Sequence, residues 1–140
     1  MTDDGARVIV PDVGKFFAAI VHDEASRQAG DFCYLARLHE WMQEFEDAEA
    51  VLIEAQSLYP RYWEIPFQRA AFRDRAKDHQ GALFSAEQAT EFAPWKRQTW
   101  WLLGEIHDRL GNTGQAAIAK KRSDEIQQVR DQLAAEIDLL

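Results

Sequence analysis

His39-Glu40-Trp41-Met42-Gln43 opens like a helical zinc site, in which two histidines one turn apart hold the metal and the glutamate between them activates water. Gln43 stands where the second histidine must be, so the ligand set does not close. His22-Asp23-Glu24 offers suitable ligand types, but side chains adjacent in sequence diverge on a helix and cannot meet at one ion. Cys33, the single cysteine, has no neighbouring base to lower its pKa. Gly111-Asn112-Thr113-Gly114 reads as a turn between helices and not as a phosphate-cradling loop. These residues predict a protein that is not an enzyme, with no cofactor and no metal.

Composition narrows the partners. The chain has 140 residues, 46% of them apolar, which suits one globular domain with a continuous core. A net charge of −8 argues against DNA or RNA, because phosphate binding draws most of its affinity from Lys and Arg. Arg61, Arg69, Arg73, Arg75 and Lys77 nevertheless form a locally basic stretch. No run approaches the ~20 apolar residues that cross a bilayer. Met1 is followed by Thr2-Asp3-Asp4, unlike a secretory signal. With one cysteine, the expected location is cytoplasmic.

Residues 1–12 carry no helical period, and Val8-Ile9-Val10-Pro11 predicts an extended N-terminal arm. Residues 13–140 are then the helical domain. Phe16, Phe17, Ile20 and Val21 predict a leading helix. Phe32, Leu35, Leu38 and Met42 predict a helix from Asp31, with a second over 48–58 after a polar corner, Phe45 plugging the gap between the two. A further pair is predicted over 63–77 and 80–92, with Pro66 tolerable only in a first turn. The last pair begins at Trp100 and resumes at Gln115. Ile118, Arg122, Ile126, Val129, Leu133, Ile137 and Leu140 then carry one long helix, or two abutting near Ser123, to the end. That stripe predicts either a terminal cap or a seam for a homodimer.

The pairs repeat. Trp100-Trp101-Leu102-Leu103-Gly104 with His107 resembles the first helix of a tetratricopeptide repeat (TPR). Phe32, Leu35-Ala36, His39, Ala48, Leu52, Ala55 and Pro60 form a second copy, and Ala82, Ala86, Ala89 and Pro94 close a third. Pro60 and Pro94 lie 34 residues apart, the period of that family. The repeats fall at about 29–61, 62–96 and 97–125. In the middle copy Arg69-Ala70 stands where Leu35-Ala36 does, and a one-residue shift that uses Phe67 and Ala70-Ala71 instead is slightly favoured. Lys120 stands where Leu52 does.

The resemblance implies an all-α fold, a right-handed α-α superhelix of about three TPR-like helix pairs with a leading helix and a long C-terminal capping helix. It implies that the first helices line a concave face that binds a peptide segment of another protein. Mapped onto this sequence, that face holds Cys33, Tyr34, Arg37 and Trp41, then Phe67, Gln68, Ala71 and Arg75, then Gln98, Trp101, Glu105 and Arg109. Tyr, Trp, Phe and Arg concentrate interface energy because they bury much area while ordering few torsions. The places of the family's carboxylate clamp hold Cys33, Arg37, Gln68, Gln98 and Leu102, with one cation, so no clamp for a chain terminus is expected. A scaffold or adaptor for an apolar and acidic segment fits these residues. The alternatives are a structural subunit or assembly factor of a larger complex, or a secretion-type chaperone.

Overall fold

A computed structural model describes residues 29–138. The N-terminal arm, the leading helix, His22-Asp23-Glu24 and Leu140 lie outside the described residues. Within them are six helices and no strand: α1 (Ala29–Trp41), α2 (Phe45–Leu58), α3 (Glu64–Arg75), α4 (His79–Phe92), α5 (Arg97–Arg109) and α6 (Thr113–Asp138). The chain divides into two compact units, Met1–Ile65 and Pro66–Leu140, and the division falls in the first turn of α3. Pro66 is buried in that turn, where its missing N–H has no intrahelical role.

The repeat is written most clearly in the turns. Gln43, Lys77 and Gly111 all adopt a left-handed backbone, with φ of 64°, 71° and 82°, and they are spaced 34 residues apart. Each ends a helix with the same pair of hydrogen bonds. Glu44 N–H donates to His39 C=O at 2.8 Å, Asp78 to Arg73 at 2.9 Å and Asn112 to His107 at 2.8 Å. The residue before each donates to the next carbonyl: Gln43 to Glu40, Lys77 to Asp74 and Gly111 to Asp108. This Schellman arrangement satisfies carbonyls that would otherwise be orphaned at the helix end. Because it stops the first helix and starts the second at fixed places, it sets the register of each pair.

The middle repeat therefore keeps the unshifted register, contrary to the slightly favoured shift. Ala70 is 0% exposed at the place of Ala36 and Gly104, while Arg69 is half-buried where Leu35 and Leu103 are buried. The turn holds the register even where the apolar residue is missing. Second helices begin earlier than expected, at Phe45, His79 and Thr113, directly after the three-residue turns. Phe45 is consequently not a plug between helices: as the first residue of α2 it is 49% exposed.

In the first unit Phe32, Cys33, Leu35 and Ala36 of α1 pack with Leu52 and Ala55 of α2 and with Ile65. The Phe32 and Tyr59 rings meet edge-on at 6.0 Å. In the second unit Ala70, Ala82, Ala86, Leu103, Ile106 and Ala119 form one cluster, joining α3, α4, α5 and α6. Small residues recur where the helices approach: Ala48, Ala82 and Ala116, then Ala55, Ala89 and Ser123, all buried. A Cβ added at Gly104 would lie 2.7 Å from Lys120 Cγ and 3.2 Å from Ala116 O, so α5 and α6 meet more closely than a side chain allows. α6 runs unbroken for 26 residues, and Val129, Leu133 and Ile137 on its distal half are exposed.

Candidate functional site

In the first unit Tyr34, Arg37 and Trp41 occupy one face of α1, at steps of three and four residues. All three point outward: Tyr34 is 51% and Trp41 69% exposed, against 1% for Phe32 on the packed face. The Arg37 guanidinium lies 5.7 Å from the Tyr34 ring centroid, within cation–π range. Its Nη1 also reaches Glu64 Oε2 at 3.3 Å, and Tyr62 OH donates to the other Glu64 oxygen at 3.2 Å. Burial, then the Glu64 charge, pushes the Tyr62 phenol above its ordinary range. Cys33, expected on this face, is buried in the core instead. Burial first, then Glu64, raises its thiol to about 12, partly opposed by Arg37. A neutral thiol is a poor nucleophile and a poor metal ligand.

The second unit holds the remaining expected residues on α3 and α5. Phe67 and Gln68 are half-buried on α3, with Arg75 exposed at its end. On α5, Gln98 and Arg109 are exposed, Glu105 is half-buried, and Trp101 is 43% exposed. Trp101, Glu105 and Arg109 are tied into one charged network. Arg109 Nη1 meets Asp74 Oδ2 at 2.6 Å, linking α5 to α3, and the nearly buried Asp74 also contacts His79 Nδ1 at 2.9 Å. Lys120 Nζ reaches Glu105 at 2.8 Å and Asp108 at 2.6 Å, and lies 4.9 Å from the Trp101 ring centroid. Hydrogen bonds that the Lys120 ammonium donates to Asp108 and Glu105 push it above its usual range, so it stays charged. Gln68, Phe67 and Arg75 share α3 with Asp74.

Sequence reasoning missed Asp74, Asp108 and Lys120. Lys120 stood out as a cation at an apolar place, which was the available signal. Its stem fills the gap opposite Gly104 while its ammonium reaches the surface of α5, as long charged side chains do.

The apparent zinc motif is broken by geometry as well as by composition, because α1 ends at Trp41 and Gln43 lies in the left-handed turn. His39, Glu44 and Asp47 do bring three ligand atoms within 4.8 Å of one another. His39 Nδ1 is already paired with Glu44 Oε1 at 2.8 Å, and both carboxylates sit at the start of α2, where the helix dipole favours them unaided. His107, 7% exposed, is hydrogen-bonded to Asn112 at the corresponding turn, at 3.2 Å. No helix among the described residues is long and apolar enough to cross a membrane.

No protein-family model and no curated protein matches the sequence. Solved structures do. A crystal structure of MamA superposes with a TM-score of 0.77 at 16% identity, covering 88% of this chain and 71% of that one. MamA of MSR-1 gives 0.69 at 14% identity, over 87% of this chain and 70% of that one. MamA of AMB-1 gives 0.67 at 15% identity, over 82% of this chain and 62% of that one. Similarity at such identities speaks to the fold, and it agrees with the 34-residue spacing of turns, helix ends and small residues. The chain has the fold of the tetratricopeptide repeat proteins.

Proposed function

We propose that the chain is a non-catalytic scaffold or adaptor, whose first-helix faces bind a peptide segment of another protein. The observation that carries this reading is the placement of the aromatics. Tyr34, Trp41 and Trp101, which the family resemblance maps to a ligand-contacting face, stand outside the core, while Phe32, on the packed side of α1, is inside. Desolvating such rings against a partner contributes most of the energy of a typical interface, with guanidinium and ammonium groups fixing register. Arg37 at Tyr34 and Lys120 at Trp101 supply those groups. A segment alternating apolar and acidic residues is the complement. The proposed setting is the cytoplasm, which the unpaired, buried thiol of Cys33 supports.

A second reading, a permanent subunit or assembly factor of a larger complex or a secretion-type chaperone, is favoured by the exposure of Trp95 and of the distal α6 stripe. The two readings separate in one experiment. With a partner recovered from the native source, Tyr34→Ala and Arg37→Ala should each weaken binding by about ten-fold or more while the circular dichroism spectrum is unchanged. Undiminished affinity in both folded variants defeats the first-helix reading.

A further inference from the structure

The distal half of α6 presents an exposed surface of a different composition from the first-helix faces. Ile126, Val129, Leu133 and Ile137 recur at steps of three and four and so lie along one side of the helix. Val129, Leu133 and Ile137 are 56%, 54% and 66% exposed. Trp95, 64% exposed in the link between α4 and α5, stands over the near end. With Glu125, Ile126, Val129 and Arg130 it encloses an open apolar hollow of ≈ 330 Å³.

The charges around the stripe say what covers it. From 124 to 138 the helix carries Asp124, Glu125, Asp131, Glu136 and Asp138 against Arg130, with Arg122 just before them 3.6 Å from Glu125 in an exposed pair. Its last turn has acidic residues and no basic one, so the negative end of the helix dipole is reinforced and not compensated. Glu125 and Glu136, one residue before Ile126 and Ile137, border the same edge of the stripe.

A second copy of the chain does not fit this pattern. The antiparallel match of the stripe onto itself, Ile126 with Ile137 and Val129 with Leu133, brings Glu125 of each copy against the acidic end of the other. A parallel match sets the two acidic ends side by side. Both juxtapose like charges, which opposes pairing.

We propose that the distal half of α6, with Trp95, docks an amphipathic helix of another protein whose edges carry Lys or Arg. The apolar seam seats on Ile126, Val129, Leu133 and Ile137, and the basic edge neutralises Glu125, Glu136 and the C-terminal end of the helix. This surface uses none of the residues assigned to the first-helix faces, so each proposal can fail without the other.

The test uses the full chain and two labelled synthetic helices with the same Leu/Ile seam, one edged with lysine and its twin with glutamate, followed by fluorescence anisotropy. The lysine-edged helix should bind about ten-fold or more tightly than its twin, a difference that a few partly exposed charge pairs supply. Leu133→Asp, on an exposed position that leaves the fold intact, should remove that binding, and Glu125→Lys with Glu136→Lys should reverse the preference. Equal binding of both helices, binding of neither, or a preference unmoved by the charge reversal overturns the proposal. So does concentration-dependent self-association of the chain, in sedimentation velocity, that Leu133→Asp abolishes, since a second copy would then be the occupant.

Discussion

The first and last helix pairs share one 34-residue frame and close it with opposite chemistry. In α1 and α2, Leu52 is 2% exposed and packs among Phe32, Leu35 and Ala36. In α5 and α6 the same place holds Lys120, whose stem lies against Gly104 and whose ammonium reaches Glu105, Asp108 and the Trp101 ring. The comparison teaches that the frame is set by the turn and by small residues at the approach, and not by a fixed apolar residue at the centre. It also teaches that one position can be surrendered to the surface. Leu52 stabilises its pair, whereas Lys120 links its pair to the face where Trp101 stands.

That contrast can be broken in several ways. Leu52→Ala removes a fully buried side chain and should destabilise the fold by about 2–5 kcal/mol in urea titrations. Lys120→Met, which keeps the stem, should leave the midpoint nearly unchanged while moving the Trp101 contribution to the fluorescence spectrum. Equal losses in both variants would mean that the two places are not chemically different. Gly104→Ala should cost about 1–3 kcal/mol by crowding the lysine stem. Part of that cost should return when Lys120→Ala is added, a coupling measurable by a double-mutant cycle.

Smaller effects sharpen the role of the turns. Gln43→Gly and Lys77→Gly relieve side chains held at positive φ and should each stabilise by about 1 kcal/mol. Gly111→Ala should cost about as much. Ser123, 0% exposed where Ala55 and Ala89 stand, has a hydroxyl without a hydrogen-bond partner, so Ser123→Ala should raise the midpoint modestly.

The Cys33 thiol gives a pH dependence whose sign follows from its raised pKa. The folded chain keeps the proton up to about 12, while an unfolded thiol loses it near its ordinary value of 9.0. Stability is therefore fully present below the unfolded value and is lost as pH rises from there through the folded one. Unfolding midpoints of the native chain should fall more steeply across that window than those of Cys33→Ala.

Much of the fold was legible because the repeat's demands are local. Ala36, Ala48, Ala55, Ala82 and Ala89 marked the close approaches, and Pro60 and Pro94 marked the ends of pairs. The middle register was not, because the sequence reading weighed Arg69 against an apolar consensus. The decisive feature was backbone geometry at Lys77, a residue whose type gives no hint of a left-handed conformation. Glycine at 111 did give that hint. Tyr34, Trp41 and Trp101, mapped to the first-helix faces by the resemblance to the repeat family, are exposed. Cys33 was misplaced because a small apolar residue beside Phe32 packs inward more readily than a mapped position suggests. Asp74 and Lys120 were missed because ion pairs between helices join residues far apart in sequence, and no spacing rule reports them.

Trp101 and Phe84 offer the most direct test of the central claim, since both are large, exposed aromatics of the second unit, one on a first helix and the other on a second. Partner affinity should be measured for Trp101→Ala and Phe84→Ala against the native chain, with thermal midpoints confirming that each remains folded. A first-helix binding face predicts a loss of about ten-fold or more for Trp101→Ala and none for Phe84→Ala. Loss confined to Phe84→Ala would contradict it.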